Sequence, residues 1–137
     1  MPDSTQTPLD PHDHDGVNSL KVNKVNFQNV PFTYNSQEFD NGSVTGTATI
    51  DWGKGNVQYV TLTGNTTFTF TNPAAGMRHL LHVAGAYTPT FPSTVRWSGG
   101  TTPTATASAG HKDIYTFVYS GKEGLYDGSQ ASNYATT

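Results

Sequence analysis

At 137 residues the chain can hold one ordinary domain plus an appendage, and is large enough to bury a core without metal or disulfide staples. Charged residues make up 12%, against roughly a quarter in an average soluble protein. The net charge is -3, with seven Lys and Arg spread singly, so no basic stripe exists for a phosphate backbone; the absence of cysteine excludes disulfides, thiolate catalysis and Cys-based zinc sites.

No apolar run approaches the length of a signal h-region or a membrane span, so neither a cleaved leader nor a bilayer anchor is expected. Residues 1–40 read as an extended N-terminal arm. Met1 to Gly16 is polar, carries Pro2, Pro8 and Pro11, and has no apolar periodicity. Beyond it Val17, Leu20, Val22, Val25, Phe27, Val30, Phe32 and Tyr34 are too sparse for an autonomous core. Val17, Leu20, Val22, Val25 and Phe27 are therefore assigned to a partner surface.

The arm holds Asp10-Pro11-His12-Asp13-His14-Asp15-Gly16. In extended backbone His12 and His14 point the same way and can present two imidazoles to one ion. Two ligands do not complete a tetrahedral zinc site, whereas a threefold axis would supply six nitrogens, enough for an octahedral transition-metal site. The other reading is a solvated turn in which the same residues hold the backbone and a partner contact. A calcium loop fails, because Pro11 and Val22 would fall at its first and twelfth ligand positions.

From residue 41 the patterning changes to that of an all-β domain, an antiparallel β-sandwich or jelly-roll over 41–137. Val44, Ala48, Ile50 and Trp52 share one parity while Thr45, Thr47, Thr49 and Asp51 take the other, as in a strand buried on one face. Val60 and Leu62 between threonines, then Thr67 to Thr71, continue the pattern, so three consecutive strands predict a β-meander. Arg78 to Ala84 has apolar groups on both parities, which suits a strand covered on both faces or a central one. Phe91 to Trp97 is a strand that Pro92 places at an edge or bulge.

Ala105 to Gly110 reads as a loop, Lys112 to Ser120 as the strongest late strand, and Gly121 to Gly124 as a hairpin turn before a short strand at Leu125-Tyr126 and Asn133 to Ala135. The late strand has two faces, Ile114/Thr116/Val118 and Tyr115/Phe117/Tyr119, and neither is plainly solvent-facing. Tyr115, Phe117 and Tyr119 are assigned to a partner subunit.

Catalytic chemistry finds no support in the pattern. Glu38 with Asp40, or Asp51 with Asp113, can be paired on paper as glycosidase carboxylates, yet no nucleophile motif or phosphate loop accompanies them. His79, His82 and His111 are expected at strand surfaces or interfaces. Among Trp52, Trp97, Tyr87, Tyr126 and Tyr134, the two tryptophans are expected in the core, and Tyr87 and Tyr126 are the candidates for stacking on sugar rings. Asn41-Gly42-Ser43 and Asn65-Thr66-Thr67 fit a glycosylation pattern and are read as turns.

Residues 48–135 resemble a β-rich module at the C-terminal end of bacteriophage tail-fibre and other particle-surface proteins. The likeness is carried by "ATIDWGKGNVQYVTLTGNTTFTFTNP", "RWSGGTTPTATASAGHKDIYTFVYSG" and "YDGSQASNYA". Upstream, "HDHDGVNS" is similar to a His-x-His-Asp-Gly segment near the start of some phage fibre and appendage proteins, a motif that in certain fibres binds iron at the axis of a trimer. The resemblance implies a virion structural protein, a homotrimer anchored to capsid or tail proteins by its arm, with the β-domain projecting from the particle; the aromatics Tyr87 and Tyr126 separately suggest host glycans as a partner. A short capsid-bound fibre or decoration protein fits the length better than a tail fibre.

Overall fold

The computed structural model describes residues 38–137. The domain is all-β, with seven strands: β1 (Phe39–Asp51), β2 (Val57–Thr71), β3 (Arg78–Ala84), β4 (Pro89–Thr90), β5 (Val95–Trp97), β6 (His111–Ser120) and β7 (Leu125–Ala135). They form one sheet in the order β1-β2-β3-β6-β7-β5, with β4 beside β2. β1 begins two residues ahead of the expected domain boundary at 41.

The ladders are mixed rather than uniformly antiparallel. β1 runs parallel to β2, and β2 runs parallel to both β3 and β4. The β3–β6 and β6–β7 ladders are antiparallel, and β5 runs parallel to β7. The expected meander is therefore replaced by a winding. Val60–Thr63 and Thr67–Thr71 are not two strands but parts of the single 15-residue β2.

Length shows why the winding must curve. A straight 13-residue strand would span about 40 Å. Yet Trp52 to Asn56, a connection that reaches at most about 20 Å, brings the chain back so that the start of β2 lies parallel beside the start of β1. The strand must bend along its length. Register shifts between Asp40 and Ser43 and between Val44 and Gly46 provide the bend, with Gly42 and Gly46 at positive φ where a β-carbon would be strained. Asn41 and Asn65, expected in turns, lie in these irregular stretches of strand, and Asn65 Oδ1 accepts from the Thr88 amide at 3.0 Å.

A second turn of the winding lies on the first. Val57 faces Leu80 and Thr67 faces Thr90, both 23 positions apart, so residues 80–90 track β2 in constant register. Gly85 sits where the two turns touch: its φ is +109°, and a β-carbon there would lie 2.4 Å from the Leu62 carbonyl oxygen.

The inward parity of the sequence holds throughout. Ile50, Trp52, Val60, Leu62, Phe68, Leu81, Val83, Val95, Tyr115, Phe117 and Tyr126 form one buried cluster. Phe70 of β2 meets Tyr126 of β7 at 5.2 Å between ring centroids, although β3 and β6 lie between those strands in the sheet. The sheet thus folds over on itself in a sandwich-like arrangement. Each buried aromatic contributes roughly 1.5–3 kcal/mol from apolar burial, and each edge-to-face pair about 0.5–1.5 kcal/mol more. That aromatic core holds the domain without cross-links.

Candidate interaction surface

The registers place outward side chains in rows. One row runs Asp40, Tyr59, His82, Ile114, Ala131; the next runs Val57, Leu80, Thr116, Ser129; a third runs Arg78, Val118, Asp127. In β3 and β6 the other parity, His79, Leu81, Val83 and Asp113, Tyr115, Phe117, is buried. Both strands are therefore apolar on two sides, as their sequences predict, and the structure decides which side is the core.

That decision corrects two assignments. Tyr115 and Phe117 are 1% and 0% exposed and belong to the domain's own core, not to a partner. They are the larger side chains of the strand and bury the greater apolar area, so they turn inward. Tyr119, on the same parity, is half-buried with its ring 4.8 Å from that of Tyr126. The outward set is Ile114, Thr116 and Val118, and Val118 is 37% exposed. The remaining partner and metal candidates, His12, His14, Val17, Leu20, Val22, Val25 and Phe27, lie outside the described residues.

The sugar-stacking pair is also divided. Tyr126 is 4% exposed, packed edge-on against Phe70 and Phe117, and cannot present a ring face. Tyr87 is 43% exposed. Trp52 is buried, and Trp97 packs edge-on against Phe91, Tyr115 and Phe117, with its ring lying over Gly128. Both tryptophans are core anchors, as expected.

Over the outward face the Tyr59 and His82 rings stack at 5.6 Å, and the Lys112 ammonium sits 5.3 Å from the centre of the Tyr59 ring. Glu38 Oε2 lies 3.6 Å from His82 Nε2. Burial, and then the Lys112 charge, lower the His82 pKa, and Glu38 opposes them in part. His82 Nδ1 is buried without a hydrogen-bond partner among the described residues. His79 is not at the surface: it is fully buried, with Nδ1 donating to the Phe117 carbonyl at 3.3 Å and Nε2 accepting from the Ala74 amide at 3.3 Å. Those bonds suit the neutral ring, and burial lowers its pKa.

The carboxylates serve as structural ties. Asp51 accepts from the Gly53 amide and the Asn72 side chain, capping the turn after β1. Asp113, nearly buried, accepts from Thr106, Tyr115, Gln130 and Asn133, and so fastens the loop before β6 and the far end of β7 to the core. Arg96 binds Glu123 through two nitrogens and also Asp127, at the exposed rim of an open groove of about 460 Å³. These two acids hold the guanidinium firmly charged. Among the described residues no group of three or more His, Asp or Glu is placed to hold a metal ion.

No protein-family model matches the chain, and neither curated proteins nor solved structures give a significant match.

Proposed function

We propose that this chain is a non-enzymatic structural protein of a bacteriophage particle. It is a short capsid-bound fibre or decoration protein on the particle surface, anchored by residues 1–40, with its β-domain projecting and three copies assembled together. The phage-like segments of the sequence support the reading, and one observation carries it: the domain closes its own aromatic core yet keeps an outward sheet face of Val57, Leu80, Ile114 and Val118. A sheet face that only meets water alternates to polar residues. Carboxylates tied up in turns and loops suit a scaffold better than a catalyst.

A tail component or glycan-binding receptor module is the second reading, favoured by the exposed ring of Tyr87. Labelling intact particles with an antibody against the β-domain separates the two, since the first reading expects signal on the head and the second on the tail. Removing residues 2–36 should leave the β-sheet circular-dichroism signal intact and abolish incorporation into particles. Retained incorporation would refute anchoring by the arm.

A further inference from the structure

We propose that the open groove at the edge formed by β5 and β7, lined by Arg96, Trp97 and Asp127, binds a neutral saccharide. This goes beyond the assembly reading, and its failure would leave the anchoring and placement of the chain untouched. It also puts carbohydrate at a place other than Tyr87. The groove holds about 460 Å³, within the roughly 300–1,000 Å³ of small-ligand sites and enough for one or two sugar rings.

Its floor is apolar and fixed. Trp97 packs edge-on with Phe91, Tyr115 and Phe117, so its ring is in place before a ligand arrives. Gly128, its partner across the ladder, carries no side chain, and a β-carbon there would come within 2.9 Å of the ring. The exposed part of Trp97 therefore lines the groove beside bare strand backbone. Such an indole surface suits the C–H face of a sugar ring.

The polar wall decides the ligand class. Arg96 donates Nη1 to Glu123 Oε1 at 2.6 Å, Nη2 to Glu123 Oε2 at 2.8 Å and to Asp127 Oδ2 at 3.3 Å, and Nε to Asp127 Oδ1. Four of the five guanidinium N–H groups are thereby used. Among the described residues each of the four carboxylate oxygens keeps a second lone pair, and Ser98 and Ser129 add hydroxyls. An acceptor-rich wall asks for a ligand rich in donors, as paired sugar hydroxyls are. One guanidinium against two carboxylates leaves a net charge of -1, which disfavours phosphates, sulfates and acidic sugars. Because the three charged groups hold one another, little ordering is left to be done on binding.

Tryptophan reports the site directly. The chain has two, and Trp52 is buried away from the groove. The full chain labelled with fluorotryptophan gives two fluorine NMR signals. They are assigned with Trp52→Phe or, should that variant fail to fold, by the greater broadening that a soluble paramagnetic agent gives the part-exposed Trp97. Methyl glycosides of glucose, galactose, mannose and N-acetylglucosamine are titrated to about 100 mM. At least one should shift the Trp97 signal and leave that of Trp52 in place, with a dissociation constant on the order of 1–10 mM. No shift with any of the four would overturn the proposal.

Asp127→Ala, which removes acceptors, and Ser129→Phe, which fills the groove from an exposed strand position, should each bind that glycoside at least tenfold more weakly with unchanged circular dichroism. Wild-type affinity in either folded variant would overturn the site. The uronic acid of the sugar that binds should be at least tenfold weaker, and equal affinity would refute selection by charge. A Trp97 shift with choline and none with the glycosides would replace the saccharide by a cation.

Discussion

Gln58 donates its side-chain amide to the Asp51 carbonyl at 2.7 Å, joining the end of β1 to the start of β2 inside the curve of the winding. The same nitrogen donates to the Gly55 carbonyl at 2.8 Å, and the Gln58 oxygen accepts from Asn41 at 2.9 Å. One fully buried amide thus gathers both ends of β1 and the turn between the strands. Gln58→Leu keeps the volume but takes the side-chain donor from the Asp51 and Gly55 carbonyls and leaves Asn41 only its bond to the Tyr59 carbonyl. It should lose about 2–4 kcal/mol of unfolding free energy in a urea titration, and a loss within the surface range of about 0.5 kcal/mol would show that the winding closes without it.

Asp113 plays a comparable part at the other end of the sheet. Oδ2 accepts from the Thr106 amide at 2.7 Å and Gln130 at 3.0 Å, while Oδ1 accepts from the Thr106 hydroxyl at 2.5 Å and the Asn133 amide at 2.9 Å. Burial raises its pKa, but the hydrogen bonds from Thr106, Asn133 and Gln130 outweigh it and the net shift is downward. The carboxylate therefore adds stability that is present above its ordinary value near 3.8 and is lost as pH falls through the lower folded value. Asp113→Asn turns an amide donor toward a backbone N–H in either orientation. It should cost about 2–4 kcal/mol at neutral pH and flatten the acid limb of stability below about pH 4, both read by denaturant unfolding.

The strands were legible because period-two patterning survives any topology: Ile50, Trp52, Val60, Leu62 and Phe68 point inward as their spacing predicts. Their pairing was not. Short Gly- and Asn-containing connections suggest antiparallel neighbours, and nothing local announces that β1 curves far enough for Trp52 to Asn56 to return the chain in parallel. Gln58 and Thr66, buried polar side chains on the inward parity of β2, are the visible signs of an irregular course. For β6 the two-sided apolar pattern announced an outward surface, but choosing its face required weighing side-chain size, since Tyr115 and Phe117 fill the core better than Ile114 and Val118.

His79 gives the domain a pH dependence at milder acidity. The folded state lowers its pKa, chiefly through burial, so the unfolded chain takes up the proton first. Stability from this residue is full above about pH 6.5 and declines as pH falls from there toward the folded value. The wild-type thermal midpoint should drop between about pH 7.5 and pH 5.5, a window in which Asp113 stays ionised. His82 shifts in the same direction, so the comparison is with His79→Gln, which should lower the midpoint at both pH values and reduce the drop. An undiminished drop would place the titration elsewhere.

Tyr126 and Tyr87 make opposite predictions. Tyr126 is packed among Phe70, Phe117 and Tyr119, and Tyr126→Ala should cost about 3–5 kcal/mol through the cavity it leaves. Any loss of glycan binding by that variant would report unfolding. Tyr87 is exposed, and Tyr87→Ala should change stability by no more than about 0.5 kcal/mol. Only Tyr87 therefore tests recognition: an unchanged thermal midpoint with weakened binding to a glycan array would support a receptor-binding role, whereas a wild-type array profile without hits would leave assembly as the function of the domain.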